Sequence, residues 1–267
     1  MSVDLNFIEI PSEGAEQFAP LVIAHGLFGS AKNFSTLGRK LALGRRVLMV
    51  DMRNHGDSPW DDEVTYRAMA SDLASVIEKY CNNNAVVLGH SMGGKAAMAL
   101  ALTHPEQLAG VIIADIAPVA YAHTHQPYIQ AMRAMDLAGI ERRSQADPQL
   151  ADVIPEAPLR AFILQNLVIE EKKARWRLNL KALDEGMPDL IGWDSALDQS
   201  PFSGPSFFLH GGASEYMTPL LEPRVREVFP NAQVDHIPGA GHWLHAEKPT
   251  EFLEKISGWL GRLDATG

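Results

Sequence analysis

The chain has almost no cysteine. Cys81 is the single one among 267 residues, so an internal disulfide is excluded, and so is a Cys-x-x-Cys metal or redox motif. Positive charge is scarce as well: Lys and Arg number 23 against 33 Asp and Glu, a formal net charge of −10. No basic stripe is present, which argues against a nucleic-acid partner. The same balance mildly disfavours an anionic substrate unless a local cation offsets it. Long apolar runs are missing, and none would span a bilayer, so no membrane partner is expected. The opening Met1-Ser2-Val3-Asp4-Leu5-Asn6 lacks a basic segment followed by an apolar one. It does not read as a secretory signal, which makes the cytoplasm the expected location. Repeats and low-complexity segments are absent too. What remains, 46% apolar and 21% charged residues, is the composition of an ordinary globular protein.

Short apolar runs occur at Leu21 to Ala24, Val47 to Val50, Ala85 to Leu88, Val111 to Ala114 and Phe207 to Leu209. Continuous runs of this length suit strands buried on both faces, as in a parallel sheet. Helix-like segments lie between them. Thr65 to Tyr80 carries Met69, Leu73, Val76, Ile77 and Tyr80 at helical spacing, with Cys81 at its end as a structural thiol. The alternation predicts an α/β sheet with right-handed crossovers. Leu5, Phe7 and Ile10 suggest an antiparallel edge hairpin. The alternation stops between about Val119 and Pro205. Helix-like pieces at Pro127 to Ala138, Pro158 to Val168 and Glu171 to Leu183 are expected there, with no clear strand. This predicts a helical insert (119–205) over a core formed by 1–118 and 206–267. Asp264 to Gly267 reads as a frayed tail.

Gly89-His90-Ser91-Met92-Gly93 carries the strongest chemical signal. This G-x-S-x-G follows a strand-like run and precedes a helix former, Gly94 to Leu102. Strand, sharp turn and helix are the setting of a nucleophile elbow, which exposes a serine Oγ above a sheet. A serine hydroxyl needs a general base and donors for an oxyanion. Among ten His, His242 is favoured, because Gly239-Ala240-Gly241 precedes it in a loop after the strand-like Val234 to Ile237. His245 and His236 are the alternatives. The acid is open between Asp115, at the end of the Val111 to Ala114 run, and Glu215, in the loop after Phe207 to Leu209. Ser214 is expected to support the acid or the His. The oxyanion donors are expected to be the Met92 amide and one from His25-Gly26-Leu27-Phe28-Gly29, with Leu27 first and Phe28 second. Asp51 to Ser58 reads as a hydrogen-bonded turn that supports the site. His123 and His125 resemble a metal pair but have no carboxylate at a suitable spacing.

Taken together, HGLFGS from His25, DMRNHGDSP from Asp51, GHSMGGK from Gly89, DIAPVAY from Asp115 and GAGHWLHAEKP around His242 resemble the α/β-hydrolase superfamily. The resemblance covers nearly the whole length. Within the superfamily the chain resembles the YbfF-type esterases and their eukaryotic abhydrolase relatives. The resemblance implies a mostly parallel central sheet flanked by helices, a helical cap, and hydrolysis of an acyl ester or thioester. Most α/β-hydrolases carry an Asp where this chain has Ser214. The YbfF-type branch implies Asp115 as the acid instead. It also implies substrate contacts from Tyr216 and from the cap near His123 to Tyr128. An Arg is expected in that part of the cap, and this chain has His123 and His125 there.

The expected function is therefore serine-dependent ester cleavage, with Ser91 as nucleophile, His242 as base and Asp115 as acid. No cofactor or metal is required. Leu27, Phe28 and Met92 would line a pocket for short to medium acyl chains. A cofactor-free haloperoxidase or a carbon–carbon bond hydrolase would use the same three groups. A ligand receptor that has lost turnover is the non-catalytic alternative.

Overall fold

A computed structural model of the protein describes residues 1–171 and 173–266. Lys172, within the stretch expected to be helical, and Gly267, within the expected tail, lie outside the described residues.

The first half of the chain alternates as the apolar runs require. It contains β1 (Phe7–Ile10), β2 (Leu21–Ala24), α1 (Ser35–Leu41), β3 (Val47–Val50), α2 (Tyr66–Tyr80), β4 (Ala85–His90), α3 (Met92–Thr103) and β5 (Leu108–Ala114). After β5 come α4 (Gln126–Ala134), α5 (Arg143–Leu150), α6 (Ala157–Ile163), β6 (Leu167–Glu170), β7 (Lys173–Trp176), α7 (Leu180–Glu185) and α8 (Met187–Ile191). The chain then resumes with β8 (Ser206–Gly211), α9 (Glu222–Val228), β9 (Ala232–Ile237), α10 (Leu244–Glu247) and α11 (Pro249–Asp264). Among the described residues, seven strands form one sheet in the order β1-β3-β2-β4-β5-β8-β9.

β2, β3 and β4 are buried along their whole length, which explains their unbroken apolar sequences. Alternate residues serve opposite faces. Val22, Ala24, Ala85 and Val87 join the core beneath α2 and α3, whereas Leu21, Ile23, Val86 and Leu88 join the core that includes Phe252 and Ile256 of α11. The chain order reverses beside β2, which lies between β3 and β4. Crevices form outside the carboxyl ends of strands at such reversals. The loops after β2 and β4 therefore share one crevice.

Three expectations are corrected. β1 is an antiparallel edge strand, but it pairs with β3, from Phe7 with Val50 to Ile10 with Val47, so no terminal hairpin forms. The reason is that β2 is flanked on both sides by β3 and β4. Second, the insert contains strands. β6 and β7 form an antiparallel hairpin, from Leu167 with Trp176 to Glu170 with Lys173. The run of good helix formers from Glu171 is overridden by burial of Trp176, whose indole N–H donates to Met132 O at 3.0 Å. Helix returns only at α7, where the Asn179 side chain caps Ala182 N. Third, Asp264 ends α11 and its carboxylate pairs with the buried Arg45. It is part of the packed structure. Cys81 is buried after α2, and burial pushes its thiol up to about 11, so it carries no thiolate at neutral pH. Among the described residues, no helix is long and apolar enough to cross a membrane.

Candidate active site

The turn between β4 and α3 is tight. Ser91 has φ 52° and ψ −116°, a conformation that costs a non-glycine residue about 1–3 kcal/mol. Glycine on either side makes the turn possible. A Cβ on Gly89 would lie 2.2 Å from Gly93 O, and one on Gly93 would lie 2.3 Å from Ala24 O. The elbow is thus packed directly onto the end of β2.

Ser91, His242 and Asp115 form one hydrogen-bonded line. The Ser91 hydroxyl lies 3.0 Å from His242 Nε2, and His242 Nδ1 lies 2.7 Å from Asp115 Oδ2. Asp115 follows β5 with φ 53°. Its Oδ1 accepts from Gly211 N at 2.9 Å, and its Oδ2 also accepts from the Ser214 hydroxyl at 2.5 Å. Ser214 therefore holds the acid and not the imidazole. Glu215 is exposed, and among the described residues it makes no hydrogen bond to His242. His236 lies on β9 beside His210, away from this line. His245 lies next to it, stacked on Phe34.

Burial lowers the His242 imidazole to about 3, and His123 adds to the effect. Burial also raises the Asp115 carboxyl to about 6, against the opposing hydrogen bonds from Ser214 and Gly211. The two groups are hydrogen-bonded, so a proton added on acidification belongs to the pair. Both values place that uptake below the usual imidazole pKa of 6.5. The neutral imidazole is the form that accepts a proton from serine. Activity that depends on it should persist as pH falls through 6.5 and should be lost only below that point. The acid limb of kcat/KM is accordingly expected at or below about pH 6. A limb at pH 7 or higher would show that His242 is not held neutral in this way.

The β2 loop turns back on itself, with Gly29 N donating to Gly26 O at 2.9 Å and Phe28 at φ 64°. Phe28 N donates to His55 Nε2 at 3.2 Å, which removes it as an oxyanion donor. Among the described residues, the amides of Leu27 and Met92 donate to no backbone acceptor outside regular secondary structure and to no side chain. His55 also donates from Nδ1 to Arg53 O at 2.9 Å, and burial holds its ring down at about 3. Its role is to fix the loop. Asp51 supports the same region, accepting from Ala31 N and Asn6 Nδ2 at 2.8 Å and from Asp57 N at 3.0 Å.

Two supports were not singled out from sequence. Glu247 bridges the His242 loop, accepting from Gly241 N at 2.7 Å and Trp243 N at 3.2 Å. It lies four residues after the N-cap Trp243, one more than the three of a capping box, so no local motif marks it in the sequence. His90 donates from Nε2 to His242 O at 2.9 Å. As the variable residue of G-x-S-x-G, it carries no signal of its own.

Two cavities meet at Ser91. The larger, about 280 Å³, is lined by Phe28, Tyr128, Leu159, Phe162, His242 and Trp243 among others. The smaller, about 40 Å³, is lined by Met92, Lys95, Tyr121 and His123 among others. Leu27, His125 and Tyr216 border both. Tyr216 also stacks on His242, with ring centres 3.7 Å apart. His123 and His125 lie edge to face, and among the described residues no group of three or more potential ligands could hold a metal.

A sequence profile of the alpha/beta hydrolase fold matches residues 19–249. The esterase YbfF of Escherichia coli is 35% identical over 257 residues, covering 96% of this chain and 98% of that protein. The chain belongs to the α/β-hydrolase family. Within it, the chain is a YbfF-type esterase and an enzyme of the hydrolase class. The sn-1-specific diacylglycerol lipase ABHD11 of Xenopus tropicalis is another relative of this hydrolase, at 41% identity over 256 residues, covering 93% of this chain and 80% of that protein. Among solved structures, a marine microorganism esterase superposes with a TM-score of 0.90 at 35% identity, covering 97% of this chain and all of that one.

Proposed function

We propose that this hydrolase cleaves small carboxylic esters through an acyl-enzyme on Ser91. The hydrogen-bonded line from Asp115 through His242 to Ser91 carries the reading. Ser91 Oγ attacks the acyl carbon while His242 takes its proton. The Leu27 and Met92 amides receive the oxyanion. The tetrahedral species then collapses, the bond to the alcohol oxygen breaks, and His242 gives that oxygen the proton. A water, activated by the same imidazole, attacks the acyl-enzyme and releases the acid. Asp115 keeps the Nδ1–H tautomer and stabilises the transient imidazolium without taking the proton.

The region 119–205 acts as a cap in this scheme. Its Tyr128, Leu159 and Phe162 roof the larger cavity, and Asn166 and Asn179 attach it to the core. His242 and Trp243 line only the larger cavity, so the leaving alcohol is assigned there, within reach of Nε2. The acyl chain then enters the small chamber, whose volume favours short chains. Thioesters of the same acyl groups fit the scheme equally.

A fluorophosphonate probe tests the reading directly. The expected result is one adduct per molecule, on the peptide that contains Ser91, and none in Ser91→Ala. A folded protein left unlabelled at Ser91 would favour a ligand receptor over an enzyme of this mechanism.

A further inference from the structure

The small chamber contains a charge that the mechanism does not use. Lys95 stands one turn after the nucleophile on α3, with its backbone N donating to Ser91 O at 3.0 Å. The residue is only 1% exposed. Its ammonium donates to Ile191 O at 3.1 Å and Gly192 O at 2.6 Å. It also faces the rings of Tyr66 and Tyr121, at 5.4 and 4.7 Å from their centres.

What it lacks is an anion. The buried Arg53 is paired with Asp72 and the buried Arg45 with Asp264. Among the described residues, no carboxylate lies within ion-pair distance of Lys95. Burial alone lowers its ammonium to about 7, with no acidic neighbour raising it. An isolated buried cation is costly unless something compensates it. Two carbonyls do so in part. An ammonium has three protons, so one N–H remains. Neither tyrosine hydroxyl takes it: among the described residues Lys95 Nζ bonds only the two carbonyls, while Tyr66 and Tyr121 donate to Leu190 O at 2.6 Å and Tyr216 O at 2.5 Å.

We propose that the small chamber is an acyl subsite for short dicarboxylic acids, with Lys95 binding the carboxylate at the far end of the acyl group. The preferred substrates are then half-esters, with one carboxyl esterified and the other free. The dimensions agree. At about 10–15 Å³ for each water-sized group, a 40 Å³ chamber holds roughly three to four such groups beyond the reacting carbonyl. A methylene and a carboxylate, with four heavy atoms, take up all of it. His123, which also lines the chamber, supplies a second polar contact. The chain's net charge of −10 works against anions at long range, and Lys95 is the local cation that offsets it inside the site. The inference rests on the ester reading of Ser91 and adds the acyl class. No further chemistry is required. The Ser91 ester forms and hydrolyses as above, and the product is the free dicarboxylate.

A simpler role for Lys95 would be to fasten the 187–192 segment to the core. The two roles separate on a ratio. Hydrolysis of monoethyl malonate and of ethyl isovalerate, its uncharged isostere, would be followed by acid release in wild type and Lys95→Met. The expected result is that wild type favours the half-ester, and that the half-ester to neutral ratio of kcat/KM falls about 10- to 100-fold in Lys95→Met, as for a hydrogen bond to a charged group. An equal fall on both substrates would leave fastening as the only role and overturn the proposal. So would a wild type that prefers isovalerate, which would leave ester hydrolysis itself intact. A wild type inactive on both esters and unlabelled by fluorophosphonate would remove the ester reading, and this inference with it. Should Lys95→Met fail to fold, wild type decides alone: malonamate, with one free carboxylate, is expected to protect Ser91 from fluorophosphonate, and isovaleramide, its uncharged isostere, is not. Equal protection by the two would overturn the proposal.

Discussion

Ser91→Ala is expected to lower kcat on a short p-nitrophenyl ester by about 10⁶-fold, leaving only the rate that oxyanion and binding contacts can support. The size follows from the loss of the covalent route. Without Oγ no acyl-enzyme forms, and the imidazole 3.0 Å away has no proton to accept. The change should not disturb the fold, because Ser91 Oγ bonds only to His242 among the described residues. Relief of the φ of 52° is not expected, since alanine meets the same backbone restriction. Circular dichroism and thermal unfolding should therefore match wild type. Ser91→Ala combined with His242→Ala should be no slower than either alone, because the two residues act as one unit. A residual rate within 100-fold of wild type would mean that another group performs the attack.

Asp115→Asn is expected to reduce kcat by about 10⁴-fold. The amide keeps the shape but can present N–H to His242 Nδ1, which selects the wrong tautomer. Asparagine also tolerates the left-handed backbone found at this position, so the loss can be attributed to the charge and the tautomer. Glu215→Gln is the matched control and should behave as wild type, since Glu215 is exposed. The opposite pattern, with Asp115→Asn active and Glu215→Gln inactive, would assign the acid to Glu215.

Much of this site was legible in the sequence because the backbone must obey local rules there. Two glycines two residues from a serine, after a buried strand and before a helix, specify the elbow almost alone. The HG loop and the glycines before His242 carry similar local signals. Asp115 against Glu215 was a harder choice. Either can follow a strand end, and only the neighbouring positions of β5 and β8 in the sheet bring Asp115 within reach of Ser214 and Gly211. The β6–β7 hairpin was not legible at all. Glu171, Lys173, Ala174 and Arg175 have ordinary helix propensity, and the burial of Trp176 against α4 decides the matter at a distance. β1 illustrates the same limit. Its strand character is local, but its partner is set by which edge of the sheet remains open.

Asn166 ties the region 119–205 to the nucleophile's surroundings through one short contact. Its side-chain amide donates to Phe28 O at 2.7 Å, in the residue after Leu27. In the proposed scheme, with this region as a cap and the Leu27 N–H as an oxyanion donor, an outward movement large enough to admit a bulky alcohol would break this contact and free the loop that carries Leu27. Entry and chemistry would then be coupled in time. Turnover on large alcohols should be limited by how often the cap recloses, whereas small alcohols that pass without opening it should be limited by acyl transfer.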